Sequence, residues 1–279
     1  MKRGELQAML ISRGLRPSQR FGQNFLVDPA LLQAIPQDAD VQVGDSVLEI
    51  GPGAGALTTA LLAAGANVFA VELDHGLFSW LEETFADAIA SGQLQLVQGD
   101  ALGKDPLLHL AVEEWWSRHP EAKVVANLPY SISGPFLGRL PGRPMQGACL
   151  LLQKEMAEKA VGATGKAVGP LSIRLELSFN AQMGRKVPPE VFWPRPKVDS
   201  AFLHLQPRLD APHQAEQFLL KEMLTGAFQQ RRKKVLPRLA TTYPLAADAL
   251  AQAGVAPGDR PEMVSPSLWL AAVRAQLLA

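Results

Sequence analysis

The sequence predicts a mostly parallel, doubly wound α/β sheet followed by a small all-helical domain. Three observations carry this. From residue 46 short apolar runs alternate with helical stretches, the first run leads into a glycine-rich loop, and after Pro207 the texture becomes Ala-rich with helical spacing and no strong strand candidate. Strands alternating with helices are how a parallel sheet covered by crossover helices reads. The domains are set at residues 1–207 and 208–279.

In order along the chain, Val47 to Ile50 is the first strand. Leu57 to Ala64, rich in Leu and Ala and followed by Gly65, reads as a helix with a glycine stop. Val68 to Val71, Leu94 to Val97, Val124 to Ala126 and Cys149 to Leu152 supply further strands. Leu171, Ile173, Leu175, Leu177 and Phe179 alternate strictly, which by period alone says strand. No internal repeat or long low-complexity tract interrupts the pattern.

With 47% hydrophobic and 19% charged residues, the 279-residue chain has enough apolar side chain for a full core and too little net charge for disorder. Its one cysteine, Cys149, excludes an internal disulfide and a cysteine-rich zinc site, and its apolar neighbours favour a buried structural thiol. No cluster of metal ligands is seen, so no metal is expected. Lys2 and Arg3 precede only a short apolar stretch broken by Glu5 and Gln7, and no run is long enough for a bilayer. A cytoplasmic, monomeric protein without a membrane partner is the expectation.

The formal charge is zero, but it is a cancellation: residues 1–27 carry +4, 28–120 carry −12, 121–207 carry +5 and 208–279 carry +3. A nucleic-acid surface can hide inside such a neutral total. The expected molecule has one RNA-facing and one RNA-repelling side.

The first strand runs into Glu49-Ile50-Gly51-Pro52-Gly53-Ala54-Gly55. Glycines belong where the backbone turns tightly and approaches a ligand that a Cβ would displace. About twenty residues on, at the end of the second strand, Glu72 is placed to accept from ribose hydroxyls. These features specify a nucleoside-containing cofactor without saying which, because Gly51, Gly53 and Ala56 also fit the dinucleotide pattern of a nicotinamide oxidoreductase. Asp100, after the third strand, suits the adenine amine of S-adenosylmethionine, although a helix N-cap accounts for that residue equally well. Asn127 ends the fourth strand, at the edge where open α/β sheets bind ligands.

Asn127-Leu128-Pro129-Tyr130 is the most informative tetrapeptide. An exocyclic adenine amine is a poor nucleophile, because its lone pair is delocalised into the ring. Two acceptors aimed at its hydrogens favour a more tetrahedral nitrogen. The Asn127 side-chain oxygen and the Leu128 carbonyl can supply them, since Pro129 holds Leu128 extended. Tyr130 can then stack on an extruded base. Such a site works by positioning and polarisation, with neither metal nor catalytic histidine.

At these residues the chain resembles the ribosomal RNA adenine dimethylases of the KsgA type. The resemblance spans nearly the whole sequence: Arg20 to Leu26, Glu49 to Gly55, Val71 to Asp74, Gly99 to Ala101, Asn127 to Tyr130, Phe192 to Ser200, Phe228 to Lys233 and Arg260 to Glu262. The glycine loop is common to many methyltransferases; Phe21 to Leu26 and Phe192 to Ser200 are far more specific. It implies a Rossmann-like class I S-adenosylmethionine-dependent methyltransferase domain, with cofactor contacts on Asn24, Leu26, Gly51, Gly53, Glu72, Asp100, Ala101 and Asn127. It implies dimethylation of two adjacent adenosines near the 3′ end of 16S rRNA, in the immature small subunit or as naked RNA. Phe192 is implied to sandwich the target base with Tyr130, and the stretch from Leu171 to be helical against its period. Two departures stand out. Ala163 to Gly169 lack a proline and a tyrosine frequent in the family, which leaves that loop's geometry open, and Ser131 stands where asparagine is frequent.

Arg231, Arg232, Lys233 and Lys234 can neutralise phosphates. Arg195 and Lys197, with Arg139, Arg143, Arg185 and Lys186, extend the positive charge, and one RNA-binding surface is expected from them. The competing readings are a single-site 23S rRNA adenine methylase and, in different classes, a nicotinamide oxidoreductase or a non-enzymatic RNA-binding assembly factor.

Overall fold

The structure, a computed structural model, describes residues 3–18, 21–162 and 168–278. Lys2, Arg20 and the divergent loop at 163–167 lie outside the described residues. In chain order the elements are α1 (Arg3–Ser12), β1 (Phe25–Leu26), α2 (Pro29–Asp38), β2 (Ser46–Ile50), α3 (Ala56–Ala63), β3 (Asn67–Glu72), α4 (His75–Thr84), α5 (Ala86–Ala90) and β4 (Leu94–Gln98). Then follow α6 (Leu110–Arg118), β5 (Lys123–Asn127), α7 (Ser133–Leu137), β6 (Gly147–Gln153), α8 (Lys154–Ala160), α9 (Pro170–Ser178) and β7 (Phe179–Val187). The chain ends with β8 (Phe192–Trp193), β9 (Ser200–Pro207), α10 (Gln214–Gln229), α11 (Val235–Thr242), α12 (Pro244–Gln252) and α13 (Pro266–Leu277).

Seven strands form one sheet in the order β4-β3-β2-β5-β6-β9-β7, and β1 pairs with β8 in a separate two-stranded sheet. Strands β2 to β6 pair in parallel, whereas β9 runs antiparallel to β6. The chain builds outward from β2 to β4, then returns to lay β5 on the other side of β2. That reversal is a topological switch point, where the carboxyl ends of neighbouring strands part and leave a crevice. The sheet is packed by Leu32, Ile35, Leu61, Val68, Val125, Leu151 and Phe202, all buried. Cys149 belongs to this core, and burial pushes its thiol up to about 12, as befits a structural residue.

The expected helix after the glycine loop is α3. Gly65 ends it at φ +86°, where a side chain would be strained, and Val43 lies 2.9 Å from where its Cβ would sit.

The chain divides into two compact units. One comprises residues 1–139, 144–157 and 182–206; the other comprises 140–143, 158–181 and 207–279. These units differ from the division expected at residue 207 at 140–143 and 158–181, and α9 lies in the second of those stretches. Its alternating period says strand, yet Pro170 opens a helix and the Ser172 hydroxyl accepts from the Gly169 N–H at 2.9 Å. The buried polar residues that break helical amphipathicity are satisfied within the same unit: Gln217 Nε2 donates to Ser178 Oγ at 2.8 Å, and Arg174 Nε donates to Gln217 Oε1 at 3.4 Å. Ile173 joins the core of this second unit, with Leu220, Leu224, Leu239, Leu250 and the fully buried Trp269.

Candidate functional site

A cavity of about 310 Å³ lies at the carboxyl ends of β2, β3, β4 and β5. All eight residues implied to hold a cofactor line it: Asn24, Leu26, Gly51, Gly53, Glu72, Asp100, Ala101 and Asn127. So do Leu128, Pro129 and Tyr130. Residues scattered over more than a hundred positions meet because each follows, or packs against, a strand of one parallel sheet.

The loop after β2 turns through left-handed backbone at Gly51 (φ +67°) and Gly53 (φ +61°). A Cβ on Gly51 would come within 3.1 Å of the Pro129 ring, and one on Gly53 within 3.1 Å of Phe25. Only glycine lets the loop pass this close to its neighbours while keeping its backbone toward the cavity.

Glu72 ends β3 and is buried. Its Oε2 accepts from the Gly53 N–H at 2.9 Å and its Oε1 from the Asp74 N–H at 2.8 Å. Burial raises its pKa, and the backbone donors oppose that rise. Asp74 caps α4 through the Gly76 and Leu77 N–H groups, and its other oxygen accepts from Gln23 Nε2 at 3.1 Å. A continuous hydrogen-bonded path thus runs from the strap around Gln23 through Asp74 and Glu72 to the glycine loop. The Asp100 carboxylate accepts from the Leu102 N–H at 2.8 Å, so it caps its own turn, while the residue still lines the cavity.

At the end of β5 the Asn127 Nδ2 donates to the Asn24 carbonyl at 3.1 Å, leaving the side-chain oxygen as an acceptor. Leu128 is buried and donates its N–H to Leu151 O in β6 at 2.9 Å. The Tyr130 hydroxyl lies 2.7 Å from Ser200 Oγ.

Two residues without an assigned role from sequence stand out. Glu49, one residue before the end of β2, lines the cavity and is wholly buried, accepting from Thr58 Oγ1 at 2.7 Å; burial pushes its carboxyl up to about 8. The signal was a lone carboxylate inside an otherwise apolar strand. Gln23 is the other, and nothing in its spacing announces the contact with Asp74.

Phe192, implied to sandwich the target base with Tyr130, opens the short strand β8. It is 3% exposed, pairs with Leu26 across the two-stranded sheet, packs in the core cluster and is not among the cavity-lining residues. The cationic surface is also thinner than charge counting suggested. Arg139 donates to the Leu107, Pro135 and Gly103 carbonyls, and Arg185 pairs with Asp38. Arg195 is exposed and pairs with Glu190; Lys197 is exposed. In the second unit Arg231 Nε lies 3.6 Å from Glu262, whereas Arg232, Lys233 and Lys234 are exposed. Lys233 and Lys234 line an open hollow of about 550 Å³ with Gln230, Arg238 and Tyr243. Among the described residues no helix is long and apolar enough to cross a membrane, and no group of three or more His, Cys, Asp or Glu could hold a metal ion.

Comparison with known proteins agrees with this geometry. A family model described as ribosomal RNA adenine dimethylase matches residues 15–275. The chain is 40% identical over 272 residues to a ribosomal RNA small subunit methyltransferase A of Synechococcus sp. (strain RCC307), covering 92% of this chain and 95% of that one. It is 39% identical over 267 residues to the protein of the same name from Thermosynechococcus vestitus, covering 92% and 96%. Among solved structures, the 23S rRNA methyltransferase ErmE superimposes with a TM-score of 0.64 at 27% identity, covering 90% of this chain and 99% of that one. A dimethyladenosine transferase from Plasmodium falciparum, at 24% identity, TM-score 0.66 and coverage of 89% and 95%, shares the fold.

Proposed function

This chain belongs to the ribosomal RNA adenine dimethylase family, and from that premise we propose that it dimethylates the N6 amines of two adjacent adenosines in the 3′-terminal hairpin loop of 16S rRNA during small-subunit biogenesis in the cytoplasm. The enzyme uses S-adenosylmethionine and acts as a monomer. The observation that carries the reading is the convergence of Asn127, Leu128 and Tyr130 with the glycine loop, Glu72 and Asp100 on one cavity.

The cavity residues fit the cofactor. The left-handed glycines let the loop pack against Pro129 and Phe25 where a Cβ would clash, Glu72 and Asp100 supply carboxylates for hydroxyl and amine groups, and Leu26, Ala101 and Ile50 supply apolar walls. When bound, S-adenosylmethionine supplies an electrophilic methyl group on a sulfonium. The protein's part is then positioning and polarisation. Asn127 Oδ1 and the Leu128 carbonyl accept from the two amine hydrogens of the target adenine, directing its lone pair out of the ring. Tyr130 stacks on the extruded base, a contact worth roughly 1–3 kcal/mol. Arg232, Lys233 and Lys234 contact phosphates of the RNA.

The test supplies labelled S-adenosylmethionine with immature small subunits or naked rRNA and maps the modified base. Dimethyladenosine at adjacent positions of 16S rRNA is expected, with loss in Asn127→Ala. Its absence, or its persistence in that variant, overturns the reading. The likeness to a 23S rRNA methyltransferase supports a second reading, a single-site 23S rRNA adenine methylase, which one modified adenosine in 23S rRNA would identify.

A further inference from the structure

We propose that Ser200 is a positioning residue for Tyr130: its hydroxyl holds the phenol and thereby sets the ring face on which the target adenine stacks. The proposal rests on the stacking role given to Tyr130 above.

The two oxygens lie 2.7 Å apart. They differ in how firmly they are held. Tyr130 sits in the turn that follows β5 and is partly exposed. Ser200 is the first residue of β9, is 0% exposed, and pairs with Gln153 across the antiparallel β6–β9 ladder. Strand β6 in turn pairs with β5, with Leu151 opposite Asn127. The hydroxyl is therefore an anchor on the same sheet that carries the asparagine. A ring fixed at its Cα by the turn and at its phenol by the sheet keeps both side-chain torsions, and so the plane offered to a base.

The residue types agree. Ser200 opens the apolar run Ala201-Phe202-Leu203, where an alanine would pack as well and a buried hydroxyl is costly unless it is hydrogen-bonded. At position 130, stacking by itself would be met by phenylalanine, so the phenol oxygen needs its own reason. It is not a base at neutral pH, because burial raises its pKa above the ordinary 10. Its remaining use is as the fixed end of the ring.

The experiment compares Ser200→Ala, Tyr130→Phe and the double variant. S-Adenosylmethionine affinity is read by calorimetry, and single-turnover methyl transfer is read on immature small subunits. Each single change is expected to slow transfer roughly 3- to 10-fold with cofactor affinity within about twofold of wild type, and the double variant to be no slower than either single. The chain has two tyrosines, Tyr130 and Tyr243, so tyrosine labelled with 13C at Cζ gives two resonances, assigned with Tyr243→Phe. Ser200→Ala is expected to move only the Tyr130 resonance, which a diffuse structural defect would not do. Wild-type rates in Ser200→Ala, or losses that multiply in the double variant, overturn the proposal. Should Ser200→Ala fail to fold, Tyr130→Phe carries the test, and an unchanged rate in it overturns the proposal. If the wild-type protein forms no dimethyladenosine, the parent reading falls and takes this one with it; activity that ignores Ser200 removes this one alone.

Discussion

The side-chain amide of Asn127 donates to the main-chain carbonyl of Asn24 at 3.1 Å, joining residues 103 positions apart. One hydrogen bond thus orients the acceptor oxygen of Asn127 and ties it to residues 21–26, which line the same cavity. It joins the strap around Asn24 to the end of β5, where the proposed methyl-transfer residues begin.

Asn127→Asp breaks the bond to Asn24 and should impair both jobs. A carboxylate keeps acceptor oxygens but has no hydrogen for Asn24, so two oxygens face each other. Methyl transfer should fall by about 10²-fold, the order found when one preorganised hydrogen-bonding group is removed. S-Adenosylmethionine binding should weaken as well, because the strap is released. Calorimetry showing wild-type affinity would mean that the Asn24 contact does not hold the strap.

Glu49 predicts a pH dependence of stability. Its folded-state pKa of about 8 stands above the ordinary 4.5, because burial disfavours the charge. Between those values the unfolded chain releases the proton while the folded one keeps it. The stabilisation is therefore present below about pH 4.5 and lost as pH rises toward about 8, at up to about 1.4 kcal/mol per pH unit. Burial raises Glu72 in the same direction. Glu49→Gln should flatten the decline in urea midpoint between pH 5 and 8; parallel curves for the two proteins would refute this.

Phe192 separates a core role from a stacking role. As a core residue packed beside Leu26, it should cost about 3–5 kcal/mol on substitution by alanine. Phe192→Leu, which fills most of the volume, should lose far less stability and keep its RNA affinity. Thermal melts together with RNA titration decide: a leucine variant that melts normally but binds RNA poorly would return Phe192 to the stacking position.

Lys233 and Lys234 are exposed and have no ion-pair partner among the described residues. Replacing either with alanine should weaken RNA binding without altering the site of methylation. The slope of log affinity against log salt should fall by about 1 for each charge removed. A slope unchanged in the double substitution would show that these cations do not meet phosphate.

Much of the molecule was legible because it rests on local chemistry. Glycines at a tight turn, a carboxylate ending a strand, and apolar runs spaced by helices announce a doubly wound sheet and its ligand edge without knowledge of what touches what. The resemblance covered the same positions, and the five strands read from the residue pattern lie where it put them, whereas β1, β7, β8 and β9 had no reading. At α9 the local signals conflicted: the alternating period said strand, and the proline start, the serine cap and burial against the second unit's core decided for helix.

Other features depend on partners far away in the chain. The bond from Asn127 to Asn24, the path from Gln23 through Asp74 to Glu72, and the contact of Tyr130 with Ser200 link residues 51 to 103 positions apart. The same holds for charge: Arg139 and Arg185 count as surface cations in the sequence, yet one is clasped by three carbonyls and the other is paired. Sequence by itself determined the class of fold, the glycine loop and the residues proposed to polarise an adenine amine, because backbone conformation and functional-group chemistry are properties of single residues and short runs. Only the tertiary structure decided which of those groups face one cavity, how deeply each aromatic is buried and which charges are paired, because distance and burial are set by packing.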